Sequence, residues 1–153
     1  MTRPRRLVRL RDERGSGIVE FVLLAVVIFV PLTYGVLAFS SVQRTVLAAT
    51  DAARQAGRAI ATADSPAQAV TRATYAAELA AASQNVSADD LQVWTAPAHS
   101  DCSSSTNTYS VGLLSGETFA VCVQIPIRLP LMAGLLDANT ATGKYVVAMD
   151  SFR

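Results

Sequence analysis

The sequence predicts an α+β protein: a long N-terminal transmembrane helix continuing into an alanine-rich extramembrane helix, then a small antiparallel sheet. Three observations predict it. An apolar run with almost no charge follows a basic N-terminus. An alanine-rich stretch comes next, with Asp51 midway between Arg44 and Arg58. The C-terminal half then turns to Val, Ile, Tyr, Phe and Thr, bounded by Gly, Ser, Asn and Pro, which favours strands.

Composition sets the bounds. A chain of 153 residues has room for one domain rather than two. It is 51% apolar and 16% charged, with a positive mean hydropathy of +0.32, which excludes a disordered polypeptide. Its net charge of +1 argues against a nucleic-acid binder, which carries a basic surplus over the whole domain.

That balance hides an asymmetry. The first fifteen residues hold six arginines (Arg3, Arg5, Arg6, Arg9, Arg11, Arg14) against Asp12 and Glu13, a surplus of four, so the remainder carries −3. A basic tail directly before an apolar run reads as a cytoplasmic anchor under the positive-inside rule, in preference to a grip on nucleic acid.

The run from Ile18 to Phe39 contains one charge, Glu20. Its 22 residues make a helix of roughly 33 Å, enough for a hydrocarbon core of about 30 Å. A buried core helix is the competing assignment, but Phe21 to Gln43 has no charge and no polar stripe for solvent. Pro31 should kink the span. A secretory signal peptide is the other competitor, with an apolar core over Phe21–Val30, a break at Pro31 and a mature chain starting near Phe39. Glu20, an acid at the head of that core, stands against it.

A carboxylate inside a span is costly unless it lies near an edge or meets a partner charge. Glu20 lies one turn in, so snorkelling to the headgroups is the simplest account. Its neighbourhood suggests more. In Gly15-Ser16-Gly17-Ile18-Val19-Glu20-Phe21 the acid is fifth after a glycine, an aromatic is sixth, and a charged segment precedes the glycine. This resembles the processing site of type IV prepilins, most closely the TadE-like pseudopilins of tight-adherence (Tad/Flp) pilus systems. The segment Thr50–Ala59 is similar to the small-residue, Arg-containing helix that follows the span in that family. The resemblance covers about residues 11 to 60.

The resemblance implies a pilin-like fold and cleavage by a membrane-embedded prepilin peptidase after Gly15, so that the mature chain starts at Ser16. It implies that Glu20 and Phe21 serve assembly and register. It also implies partners: the lipid bilayer, other pilins and pseudopilins, the prepilin peptidase, and the assembly ATPase and platform proteins of the Tad machine. Cleavage at Gly15–Ser16 would remove all six leader arginines and take net charge from +1 to −3. It would also create an α-ammonium group near the membrane face. Paired with Glu20 of a neighbouring subunit, that ammonium would offset the cost of burying each ion and set axial register.

Segment boundaries follow. Residues 1–15 are a basic cytoplasmic leader, 16–40 the transmembrane helix, 41–83 extramembrane helices and 84–153 a mainly β region. Helix should continue to Ala63, since alanine and straight-chain residues favour it. Ala49, Ala53, Ala56 and Gly57 allow close helix approach, or reflect helix propensity alone. Ser65-Pro66-Ala67-Gln68 starts a second helix, with Ser65 capping, Pro66 at the first helical position and Gln68 completing a capping box, running to about Ser83. Gln84–Asp90 reads as a loop, and its Asn85-Val86-Ser87 sequon is assigned no function.

Strands are expected over Leu91–Thr95, Tyr109–Leu113, Thr118–Ile127 and Lys144–Met149. Ser115-Gly116 reads as a hairpin turn between Leu114 and Thr118. Pro126 and Pro130 mark an edge or a strand end. Leu129–Leu136 is a hydrophobic loop, packed in the core or lying on a membrane or partner.

Cys102 and Cys122 are the only cysteines. An even count outside the cytoplasm suggests one disulfide; two free thiols are the alternative. With the lone His99 they do not supply four ligands, so neither a metal site nor a cofactor is expected. No nucleophile–base set, nucleophile elbow or phosphate loop is present. The chain reads as an enzyme's substrate, not an enzyme. Two other readings stand beside the pilin: a secreted binding module released by signal peptidase, and an uncleaved membrane-anchored interaction domain.

Overall fold

The computed structural model describes residues 16–87, 89, 91–105, 108–129 and 139–150. The basic leader, Gly15, Asp90 and residues 130–136 of the hydrophobic segment lie outside the described residues. The class is α+β, as the sequence predicts. In order come α1 (Ser16–Ala61), α2 (Pro66–Ser83), β1 (Gln92–Pro97), β2 (Thr118–Pro126) and β3 (Thr140–Ala148).

The chain divides into two compact units, one ending at Val36 and the other beginning at Leu37. The described part of the first unit is a single stretch of helix, not a second core. Its large apolar side chains, from Ile18 and Phe21 to Val30 and Leu32, are exposed. Helical structure continues on both sides of Pro31. This helix is long and apolar enough to cross a membrane.

In the second unit α1 changes character. Thr45, Ala48, Ala49, Ala52, Ala53, Ala56 and Ile60 are buried. Steps of three and four residues put them on one face. Thr45 meets its burial cost locally: its hydroxyl donates to the Ser41 carbonyl at 3.0 Å. The helix ends two residues before the expected Ala63, where Ala63 N–H donates back to the Ile60 carbonyl in a tightened last turn.

The second helix starts as its sequence dictates. Ser65 is extended and accepts from Gln68 N–H at 3.4 Å, with Pro66 in the first turn. The reciprocal bond of the capping box is displaced by one residue, since Gln68 Oε1 accepts from Asp64 N–H at 2.9 Å. Ala69, Ala73, Ala77, Ala80 and Ala81 form its buried face.

The three strands make one antiparallel sheet in the order β1-β2-β3. Period-two alternation gives it two different faces. Phe119, Val121, Val123 and Ile125 of β2 join Ala141 and Val147 of β3 in one core with the alanines of both helices. On the opposite face Trp94, Ala96, Ala120 and Cys122 form a smaller cluster with Cys102. Pro126 ends the central strand, opposite Thr140.

Two sequence expectations need correction. Tyr109–Leu113 is not a strand. Only Tyr109 engages β1, donating its N–H to the Thr95 carbonyl at 2.7 Å. Leu113 has a positive φ of 53°, which breaks extended geometry. The Ser115-Gly116 turn does form, closed by Glu117 N–H to the Leu114 carbonyl at 3.1 Å with Gly116 at φ 76°. It leads from a loop into β2 and joins no hairpin. The third strand also begins earlier than Lys144, because Thr140–Gly143 belongs to it.

Gly143 explains the early start. It faces Val123 across the sheet. A Cβ built on it would overlap the backbone carbonyl of Ala49. At Gly57 a Cβ would meet Tyr145 and Val147. The small residues of α1 thus let β3 approach closely, and their neighbour is this chain's own sheet.

Candidate functional site

The first candidate site is the start of α1. The described part of α1 begins at Ser16. Glu20 and Phe21 lie in its opening turns, both exposed. Glu20 makes no hydrogen bond or ion pair with any described residue. Ser16 and Glu20 are four residues apart, so they share a helix face with an axial offset of roughly 6 Å. A carboxylate on an exposed apolar helix is costly in a bilayer unless it lies near an edge or meets an opposite charge.

The second place of interest is the face of the sheet that the helices leave uncovered. There Cys102 is bonded to Cys122, with Cα atoms 5.7 Å apart. The bridge pins the loop after β1 onto the central strand. Cys102 has a φ of 59°, and its N–H donates to Ser100 Oγ at 3.3 Å. Lys144 Nζ, from the strand beyond, donates to the Ser100 carbonyl at 2.6 Å. Asp101 Oδ1 accepts from Ser103 N–H at 3.1 Å and from its hydroxyl at 2.8 Å. These bonds, with Lys144 nearby, hold the Asp101 carboxyl below the usual carboxylate range. The loop carries a hydroxyl-rich rim at Ser103, Ser104 and Ser105.

A third cluster fixes the approach to β2. The Glu117 carboxylate accepts from Gly112 N–H at 3.0 Å and from Leu114 N–H at 2.9 Å. Burial acts to raise its carboxyl, but these bonds and one from the Tyr109 hydroxyl outweigh it, so it titrates below its ordinary value. The same hydrogen bond raises the Tyr109 phenol. The Tyr109 ring stacks on Phe119 at 6.4 Å between centroids. One carboxylate thus organises the 109–117 segment. Sequence reading missed it, although an acid directly after a Ser-Gly turn was the available signal.

An apolar groove of about 300 Å³ opens between α2 and β1, lined by Ile60, Ala69, Ala73, Val93 and Tyr109 among others. Among the described residues, no three His, Cys, Asp or Glu side chains gather as metal ligands. His99 lies exposed in the loop after β1.

The predicted site residues fall in both units: Ser16, Glu20 and Phe21 belong to the first, and Cys102 and Cys122 to the second.

Comparison with known proteins adds one finding. The family described as TadE-like protein matches residues 15–58. No curated protein and no solved structure matches the chain. The matched segment begins at Gly15 and ends within the buried alanine face. The chain is thus similar to the TadE-like family over residues 15–58, the family that its sequence resembles.

Proposed function

We propose that the protein is a minor pilin, or pseudopilin, of a tight-adherence pilus: a single-pass membrane protein, N-terminus inward, that takes part in pilus assembly and adhesion. The observation that carries this reading is the family match beginning at Gly15, with the lone acid of the apolar run, Glu20, fifth after that glycine.

On this reading a prepilin peptidase cuts Gly15–Ser16 and discards the arginine leader. The apolar helix over residues 16–40 holds the chain in the bilayer. The new ammonium of one subunit pairs with Glu20 of a neighbour displaced by about one helical turn, which favours one axial register over others. The part from residue 41 onward is displayed on the extracytoplasmic side, where a disulfide persists. Other pilins, the peptidase and the assembly platform are its partners. The protein contributes structure, not catalysis.

The test is Glu20→Ala in cells carrying the pilus machinery. Membrane insertion should be unchanged, since removing a charge eases insertion. Co-purification with the other pilins should fall sharply. A variant that still co-purified at the wild-type level would contradict the assembly role of Glu20.

A further inference from the structure

The two edges of the sheet are finished differently. The β1 edge is closed: Tyr109 N–H takes the Thr95 carbonyl at 2.7 Å, and Pro97 has no N–H to offer. The outer edge of β3 has neither device. Just beyond the strand, Met149 N–H donates to the Glu117 carbonyl at 2.8 Å and the Met149 carbonyl accepts from Gly116 N–H at 3.3 Å, so the Met149 backbone faces the β2 side. At the other end the Asn139 carbonyl accepts from Ile127 N–H at 2.9 Å. Alternation along the antiparallel ladder then turns the backbone N–H and C=O groups of Thr140, Thr142, Lys144, Val146 and Ala148 away from β2. No hydrogen bond joins these backbone groups to a described residue.

Exposed edges are normally guarded by proline, by a covering segment or by a charged side chain. β3 holds one charge, Lys144, and its ammonium is turned inward. Nζ donates to the carbonyl of Ser100, in the loop that follows β1 at the far side of the sheet. Val146, on the same strand, stays exposed. A row of unpaired backbone groups along nine residues fits one kind of ligand, another extended strand.

A second copy meets two obstacles. Joining β3 to β3 antiparallel needs a two-fold axis normal to the sheet. That axis reverses the direction of whatever packs flat on the sheet, the alanine face of α1 included. Copies inserted with the N-terminus inward carry α1 the same way round. Copies the same way round would instead bring β3 against a β1 edge, which Tyr109 and Pro97 close.

We propose that the outer edge of β3 receives an extended strand of another pilin, which adds to the sheet as a fourth strand. The proposal rests on the reading of the chain as a minor pilin.

The experiment uses the full chain in cells carrying the pilus machinery. Photoreactive benzoylphenylalanine replaces Val146 or, as control, Leu79, which is exposed on α2. Adducts are mapped by peptide mass spectrometry. The Val146 position should crosslink to one extended segment of another pilin, and the Leu79 position should not. Val146→Pro and Thr142→Pro each remove one outward N–H and no bond to β2, so both should fold, with the Cys102–Cys122 bridge intact and a thermal midpoint close to wild type. Each should lower co-purification of the other pilin about tenfold, the worth of one lost hydrogen bond. Adducts only with a second copy of this chain or with lipid would overturn the edge site, as would wild-type co-purification by both folded proline variants. If both proline variants unfold, the crosslink map alone decides. Wild-type protein that keeps its leader and co-purifies with no pilin sinks the minor-pilin reading and the edge site with it. Protein that is cleaved and co-purifies, without a Val146 adduct on a pilin, sinks the edge site alone.

Discussion

Gly143 of β3 packs directly against the backbone of α1 at Ala49. The contact sets how closely the helix lies on the sheet. It accounts for the run of alanines on α1, for a glycine inside a strand, and for the early start of β3. Glycine costs strand propensity, and the close backbone approach is the compensating feature.

Gly143→Ala is therefore expected to destabilise the protein even though alanine suits a strand better. The added methyl meets a backbone carbonyl, which cannot rotate away as a side chain does. Overpacking of this kind costs roughly 1–3 kcal/mol. Chemical denaturation of the detergent-solubilised chain, followed by tryptophan fluorescence, checks it. Gly17→Ala is the control, because a Cβ there meets nothing. Equal stability of the two variants would contradict the packing.

Glu117 gives a pH dependence with a definite sign. Its carboxyl titrates below its ordinary value of 4.5, so the folded state favours the ionised form. The resulting stability is fully present above that value. It is lost as pH falls through the lowered folded value, where the carboxyl takes a proton and gives up its bonds to Gly112 and Leu114. Thermal midpoints measured from pH 7 to pH 3 should fall for the wild type. For Glu117→Gln they should start lower and depend less on pH.

The disulfide should contribute about 3 kcal/mol in the chain-entropy account, since it closes a loop with a sequence separation of 20. Cys102→Ser with Cys122→Ser should lower the thermal midpoint. Reduction of the wild type should lower it similarly. Peptide maps with and without reductant report the bridge itself, and free thiols in exported protein would contradict it.

Much of this architecture was legible in the sequence, for physical reasons that differ along the chain. The span was plain because an uncharged apolar run of membrane length has few other uses. The start of α2 was plain because Ser65, Pro66 and Gln68 each act on their own backbone within one turn. What failed depended on partners distant in sequence. Tyr109–Leu113 has strand-like composition, but Glu117 captures its N–H groups and Leu113 turns left-handed, so the segment is a loop. Thr140–Gly143 lies outside the strand expected from composition, and the approach of Ala49 shows why it belongs to one. The alanines of α1 signalled close packing without naming what packs there. At the candidate site, Glu20 and Phe21 could be singled out by their spacing from Gly15.

The central claim is that the chain is made with a leader and works without it. Its most direct test is the N-terminal residue of the protein recovered from membranes of cells with an active prepilin peptidase. The account predicts Ser16, with a mass lacking residues 1–15. Recovery of the intact arginine leader would contradict it and leave a plain bilayer tether, and a start near Phe39 would identify a secreted module instead.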